Sequence, residues 1–297
     1  MPFTAMQMIC GLLLPAVMVG TFAAAAWKSE ENARWAWGLL LATGFGVAYW
    51  NLETRVGWPP SANVLYLLFY FGIVAGLLGF ADSLFRPPIS VRIVVLVIGW
   101  RLAVRLLLAP QVPNSLSATS AEMWVDLSTL VTVVWWLIFE SIAVRSPGVC
   151  VPLVLSGLAG AAAIFLGLGW HILGSGALAV SITIICLACA VLGAIGRRIS
   201  YSRGFAETIV LMLQLLLVHG YFYTDDTLSG AQEAWIAILL ASPALALAGD
   251  LPTVRRRGVV ARLAVRVVPM AIALGIVCGI TVRDYARAQQ DAAQQDE

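Results

Sequence analysis

Apolar residues in this chain gather into ten long runs, at 4–27, 35–51, 64–82, 91–109, 122–144, 149–171, 175–196, 205–223, 233–249 and 258–282, separated by short polar links. Most of these runs approach the 20 or so apolar residues that a helix needs to cross a hydrocarbon core about 30 Å thick. The pattern therefore predicts an all-α fold, a polytopic transmembrane helix bundle of about ten spans. Residues 1–283 read as a single transmembrane helical domain and 284–297 as a polar C-terminal tail expected to fray. The longest links, 51–63 and 110–121, are rich in Pro, Ser and Asn. Trp27, Trp35, Trp37, Trp50, Trp58, Trp124, Trp170 and Trp235 fall at or near run ends, where an interfacial aromatic belt places them.

Composition supports the bilayer as the main solvent. The 297 residues are 61% hydrophobic and 11% charged, against about 25% charged in soluble domains, and the mean hydropathy is +0.90. A net charge of +2, spread over short basic patches, speaks against nucleic-acid binding. The patches orient the chain instead. The links after runs 1, 3, 5, 7 and 9, taken with the adjacent run ends, hold Lys28, Arg34, Arg86, Arg92, Arg145, Arg197, Arg198, Arg203, Arg255, Arg256, Arg257, Arg262 and Arg266. By the positive-inside rule these links are cytoplasmic, and both termini are extracytoplasmic. The first positive charge, Lys28, follows the first run, so that run reads as an uncleaved span and not a signal peptide. The expected home is the bacterial inner membrane, with lipid and other membrane subunits as partners.

Cys10, Cys150, Cys186, Cys189 and Cys278 lie within or at the edges of runs, with no extramembrane domain for disulfides to staple. Cys186 and Cys189 form a CxxC, but mid-run and with no second pair, so they read as small packing residues. No cofactor is expected, since no P-loop, GxGxxG, GxSxG or haem-attachment motif occurs.

Polar residues inside an apolar medium are the candidates for chemistry. Arg101 and Arg105 share a helical face within run 4; they read as an anion or headgroup site, or as a buried ion pair with snorkelling toward the headgroups. Counting from Pro110 and Glu122 puts Arg105 level with Asp126 and predicts that pair, leaving Arg101 to carbonyls, His219, Gln214 or an anion. Glu140 in run 5 reads as a partner of Arg92 or Arg145, or as a proton-relay carboxylate. Glu207 and Gln214 are seven apart in run 8, with His219 beyond, which predicts a polar stripe serving as a proton path or as interhelical hydrogen bonds. On the outer face, His171, His219, Asp225 and Asp226 fall at one depth and could hold a divalent cation or do acid–base chemistry, although no HExxH-type spacing is present. The glycines between Gly157 and Gly176 predict a closely packed hairpin.

Two internal echoes, Pro15-Ala-Val-Met-Val-Gly20 against Pro152-Leu-Val-Leu-Ser-Gly157 and Arg101-Leu-Ala-Val-Arg105 against Arg262-Leu-Ala-Val-Arg266, are too short to establish the inverted repeat common among secondary transporters. The stretch Val56-Gly-Trp-Pro-Pro60, followed by Leu65-Tyr-Leu-Leu-Phe-Tyr-Phe71, resembles a group of uncharacterised multi-pass membrane proteins of planctomycete-type bacteria, in which a GWPP loop precedes an aromatic-rich span. That resemblance implies no activity. Termini on the outside separate the chain from drug/metabolite transporters of similar length. The leading expectation is a small-solute or ion transporter; the alternatives are a non-catalytic scaffold or assembly partner, and an intramembrane enzyme acting on lipid or headgroup substrates at the outer face.

Overall fold

The computed structural model describes residues 4–26, 36–53, 64–112, 116–145, 148–170, 172–195, 201, 204–224, 230–255 and 258–295. Of these, 92% are helical and none lies in a strand. The helices are α1 (Ala5–Ala26), α2 (Ala36–Glu53), α3 (Val64–Phe85), α4 (Ile89–Leu108), α5 (Ala118–Arg145), α6 (Cys150–Ile164), α7 (Leu173–Ile195), α8 (Phe205–Tyr223), α9 (Gly230–Leu245) and α10 (Val259–Gln295). A π-helical turn, Phe165–Gly169, extends α6, and a 3-10 turn, Ala246–Asp250, extends α9. Six helices, α3, α5, α6 with its π turn, α7, α8 and α10, are long and apolar enough to cross a membrane. This is a multi-pass membrane protein.

Its surface shows the same solvent. Val94, Ile98 and Leu102 on α4, Leu127, Leu130 and Val134 on α5, and Val268, Ile272 and Ile276 on α10 are exposed. In lipid such rows meet a medium as apolar as themselves, so packing and buried polar contacts, not water exclusion, select the helix partners.

Two helices differ from the sequence expectation at their ends. α5 begins at Ala118, a turn before Glu122, because Ser117 accepts the Ser120 backbone N–H at 3.1 Å and so caps the first turn. α10 runs past Arg283 to Gln295. The tail is rich in Ala and Gln, both strong helix formers, and Gln289 donates to Tyr285 Oη at 2.8 Å one turn earlier. The 37 residues of α10 extend about 55 Å, well beyond a hydrocarbon core of about 30 Å.

At the centre stands α8, in which every residue from Phe205 to Gly220 is buried. It packs on α3, α5, α2, α6, α7 and α4. Its entry is shaped by Gly204, whose φ of +65° suits glycine. Beside it Tyr201 donates to the Cys189 carbonyl at 2.7 Å and packs against Trp37 and Phe205. Burial pushes the Tyr201 hydroxyl well above tyrosine's ordinary range, so it remains a donor. Cys186 and Cys189 are free thiols buried in the core of α7.

Candidate functional site

Near the α8 N-terminus four helices bring ionisable groups together. Arg92, in the first turn of α4, reaches Asp82 near the end of α3, with Nε 2.6 Å from Oδ1 and Nη2 2.8 Å from Oδ2. The same guanidinium donates to Glu140 of α5, Nη1 to Oε1 at 2.8 Å and Nη2 to Oε2 at 3.3 Å. Its Cζ also lies 4.7 Å from the Trp136 ring centroid. Arg92 and Asp82 side chains are each only 4% exposed. A planar fork that serves two carboxylates is a geometry lysine cannot reproduce. Pro87 and Pro88 set it up: α3 ends and α4 begins within a few residues, so Asp82 and Arg92 meet although ten residues apart.

Glu207, in the first turn of α8, is the fourth member. It is 7% exposed, feels the charges of Asp82, Arg92 and Glu140, and its Oε2 has no hydrogen-bond partner. Glu140 thus meets Arg92, one of its two expected partners. Asp82 was missed at sequence level, although an aspartate at the end of an apolar run was the available signal.

The predicted stripe on α8 does not form. At 100° per residue Gln214 stands almost directly over Glu207, but His219 is rotated about 140° from Gln214. His219 accordingly faces α7, with Ser175 Oγ 3.0 Å from Nδ1, and stacks on Tyr223 at 5.1 Å. Gln214, 2% exposed, faces another way, toward a cavity between α5, α6, α8 and α9, and its Nε2 has no hydrogen-bond partner. Of the outer-face set, His171, Asp225 and Asp226 lie outside the described residues. Among the described residues no His, Cys, Asp and Glu cluster of metal-binding size occurs. The Gly-Trp-Pro-Pro link also lies outside them.

The α4–α5 pairing corrects the sequence reading. Arg105 meets Glu122, with Nη2 2.7 Å from Oε2 and Nε 3.0 Å from Oε1, and Arg101 meets Asp126, so Arg105 and Asp126 do not form the predicted pair. The reason is register: with α5 starting at Ala118, Asp126 lies a turn, about 6 Å, deeper than a start at Glu122 implies. Arg101 has an acid after all, and turns to neither His219 nor Gln214. The four groups lie on the bundle surface, with side-chain exposures of 35–60%. Exchanging Arg105 and Glu122 as Arg105→Glu with Glu122→Arg is expected to recover the yield lost in either single variant, while Arg105→Asp with Asp126→Arg is not. Equal recovery in both double variants, measured as folded protein extracted from membranes, would count against the observed register.

No protein-family profile matches this chain, and no curated protein and no solved structure matches it significantly.

Proposed function

We propose that this chain is a bacterial inner-membrane, transporter-like protein for a small solute or ion, with ten spans, both termini extracytoplasmic, and Glu207 as its proton-exchanging group. The observation that carries the reading is the Glu207 carboxyl, buried on the central helix beside the Arg92, Asp82 and Glu140 cluster with its Oε2 lacking a hydrogen-bond partner. Scaffolding gives no use to such a group, because the same volume filled with an apolar side chain packs at lower cost. A proton carrier needs it: protonated, Glu207 sits comfortably in an apolar bundle, and ionised, it is drawn toward Arg92 and competes with Asp82 and Glu140. Helices α3, α4, α5 and α8 all contribute to that competition, so a proton gained or lost there alters how four helices meet.

The test uses the full chain in liposomes loaded with a pH-sensitive dye. An imposed membrane potential is expected to drive proton entry through the wild-type protein, and Glu207→Gln is expected to return the rate to that of protein-free liposomes. Wild-type vesicles no leakier than empty ones, or a Glu207→Gln variant that conducts equally well, would end this reading.

The ten-span arrangement has a test of its own. Reporters fused after Arg198, Arg256 and Glu297 are expected to read inside, inside and outside, because the basic links mark one face. A C-terminal reporter active only in the cytoplasm would remove the ten-span arrangement.

A further inference from the structure

A cavity of about 390 Å³ opens between α5, α6, α8 and α9, a volume within the range of small-molecule sites. One end of it is aromatic. Trp124 packs against Tyr221 at 4.8 Å and Phe222 at 5.5 Å, and Trp170 packs against Tyr221 at 6.1 Å. From Tyr221 inward to Gln214 is seven residues of α8, about 11 Å, and that depth is walled by aliphatic side chains such as Leu217 and Val131. Among the described residues no ionisable Asp, Glu, Lys, Arg or His lines it.

Polar groups interrupt this apolar wall, among them Ser128, whose hydroxyl already donates to the Val125 carbonyl at 3.1 Å. Gln214 stands midway along α8 and Trp170 at the aromatic end; both side chains are almost wholly buried, and both Gln214 Nε2 and Trp170 Nε1 lack a hydrogen-bond partner. Buried N–H groups are nearly always paired, and leaving one unmade costs about 1–3 kcal/mol. Neighbouring donors show that pairing was achievable: Trp135 Nε1 donates to the Leu240 carbonyl at 2.7 Å in the same region. Both residues line the same cavity.

We infer that this cavity is a binding site for a neutral, largely apolar carbonyl compound, its oxygen accepting from Gln214 and its body held between Trp124, Trp170, Tyr221 and Phe222. Charge is excluded by the lining. A carbonyl oxygen satisfies the Gln214 donor and brings no proton of its own that would need an acceptor. Two membrane-soluble sources carry this chemistry, the ring of an isoprenoid quinone and the acyl ester of a neutral lipid. The site lies away from Glu207 and stands whether or not the chain moves protons.

The experiment measures equilibrium binding of a radiolabelled short-chain isoprenoid quinone to the full chain in nanodiscs. Wild type is expected to show saturable binding of one molecule per chain. Gln214→Leu, close in volume, should weaken it about tenfold, as loss of one buried hydrogen bond implies, while binding of naphthalene, which has no carbonyl, should change less than twofold. Ala237→Trp, at an exposed rim position of the cavity, should block both probes without disturbing the core. Displacement of the quinone by dioctanoylglycerol at lower concentration would assign the ester source; failure to displace would assign the quinone source. Saturable binding of neither compound by wild type, or quinone affinity unchanged in both Gln214→Leu and Ala237→Trp, would overturn the inference. Glu207→Gln should bind the quinone like wild type, which separates this result from the proton-flux test.

Discussion

Arg92→Leu is expected to remove most of the folded protein from the membrane fraction. The guanidinium is the shared partner of Asp82 and Glu140, at 2.6 and 2.8 Å, and its loss leaves their carboxylates facing each other and Glu207 in an apolar interior. Removing one member of a buried ion pair costs about 3–5 kcal/mol, a large part of a total stability of about 5–15 kcal/mol. Arg92→Lys should fall between, since an ammonium keeps the charge but cannot fork to two acids. The triple variant Arg92→Leu, Asp82→Asn, Glu140→Gln should recover much of the yield, because no ionised group is then stranded. Size-exclusion profiles and melting temperatures in detergent read all three. A single variant within about 1 kcal/mol of wild type, or a triple variant no better than the single, would show that the cluster does not hold α3, α4 and α5 together.

The second large effect is expected where backbones touch. A Cβ on Gly38 of α2 would stand 2.5 Å from the Gly76 carbonyl of α3, and one on Gly76 would stand 2.6 Å from the Gly38 carbonyl. On the next face of α3, a Cβ on Gly79 would fall 2.6 Å from the Gly204 carbonyl, and Gly204 faces the Gly79 carbonyl at 2.5 Å in return. Backbone stands among the obstacles at each glycine and cannot rotate away, so the helices must separate. Overpacking of this kind costs about 1–3 kcal/mol, and Gly79→Ala or Gly76→Ala should lie at the top of that range. Gly204→Ala adds the strain of an L-residue at φ +65°, worth a further 1–2 kcal/mol or so. Moving α3 off α8 also moves Asp82 off Arg92, so these variants should lose the Glu207-dependent proton flux as well. Gly99→Ala is the control, because a Cβ there meets nothing within 4 Å; it should match wild type or melt slightly higher. A Gly79→Ala protein as stable as Gly99→Ala would refute the close α3–α8 approach.

Both effects concern contacts between helices, and here reading the chain alone reached its limit. The placement of the long helices among the described residues was legible because it depends on run length and on breaks such as Pro87 and Pro88, which are local. Ends were less legible: the Ser117 cap and the Ala-rich tail after Arg283 extend α5 and α10 past their apolar cores, and hydrophobicity does not record capping or propensity. A shift of one turn at the start of α5 was enough to exchange the partners of Arg101 and Arg105.

The candidate sites divide in the same way. That Arg92, Glu140, Glu207 and Gln214 sit in apolar surroundings, and so require partners or empty space, follows from their positions in the runs. Which of them meet does not. The cluster takes one residue from each of α3, α4, α5 and α8, and a chain read in order gives no distance between segments more than a hundred residues apart, such as Asp82 and Glu207. The cavity was invisible for a different reason: its lining is aliphatic and aromatic, like every other wall of the bundle. Only the rotation of α8 points Gln214 into it and His219 away toward Ser175. Local hydrophobicity and helix-breaking residues set the segments and their solvent, because those forces act along the chain. Rotation and register between helices set the sites, because in lipid apolar faces are nearly equivalent, and a few glycine contacts and shared charges select one packing among many.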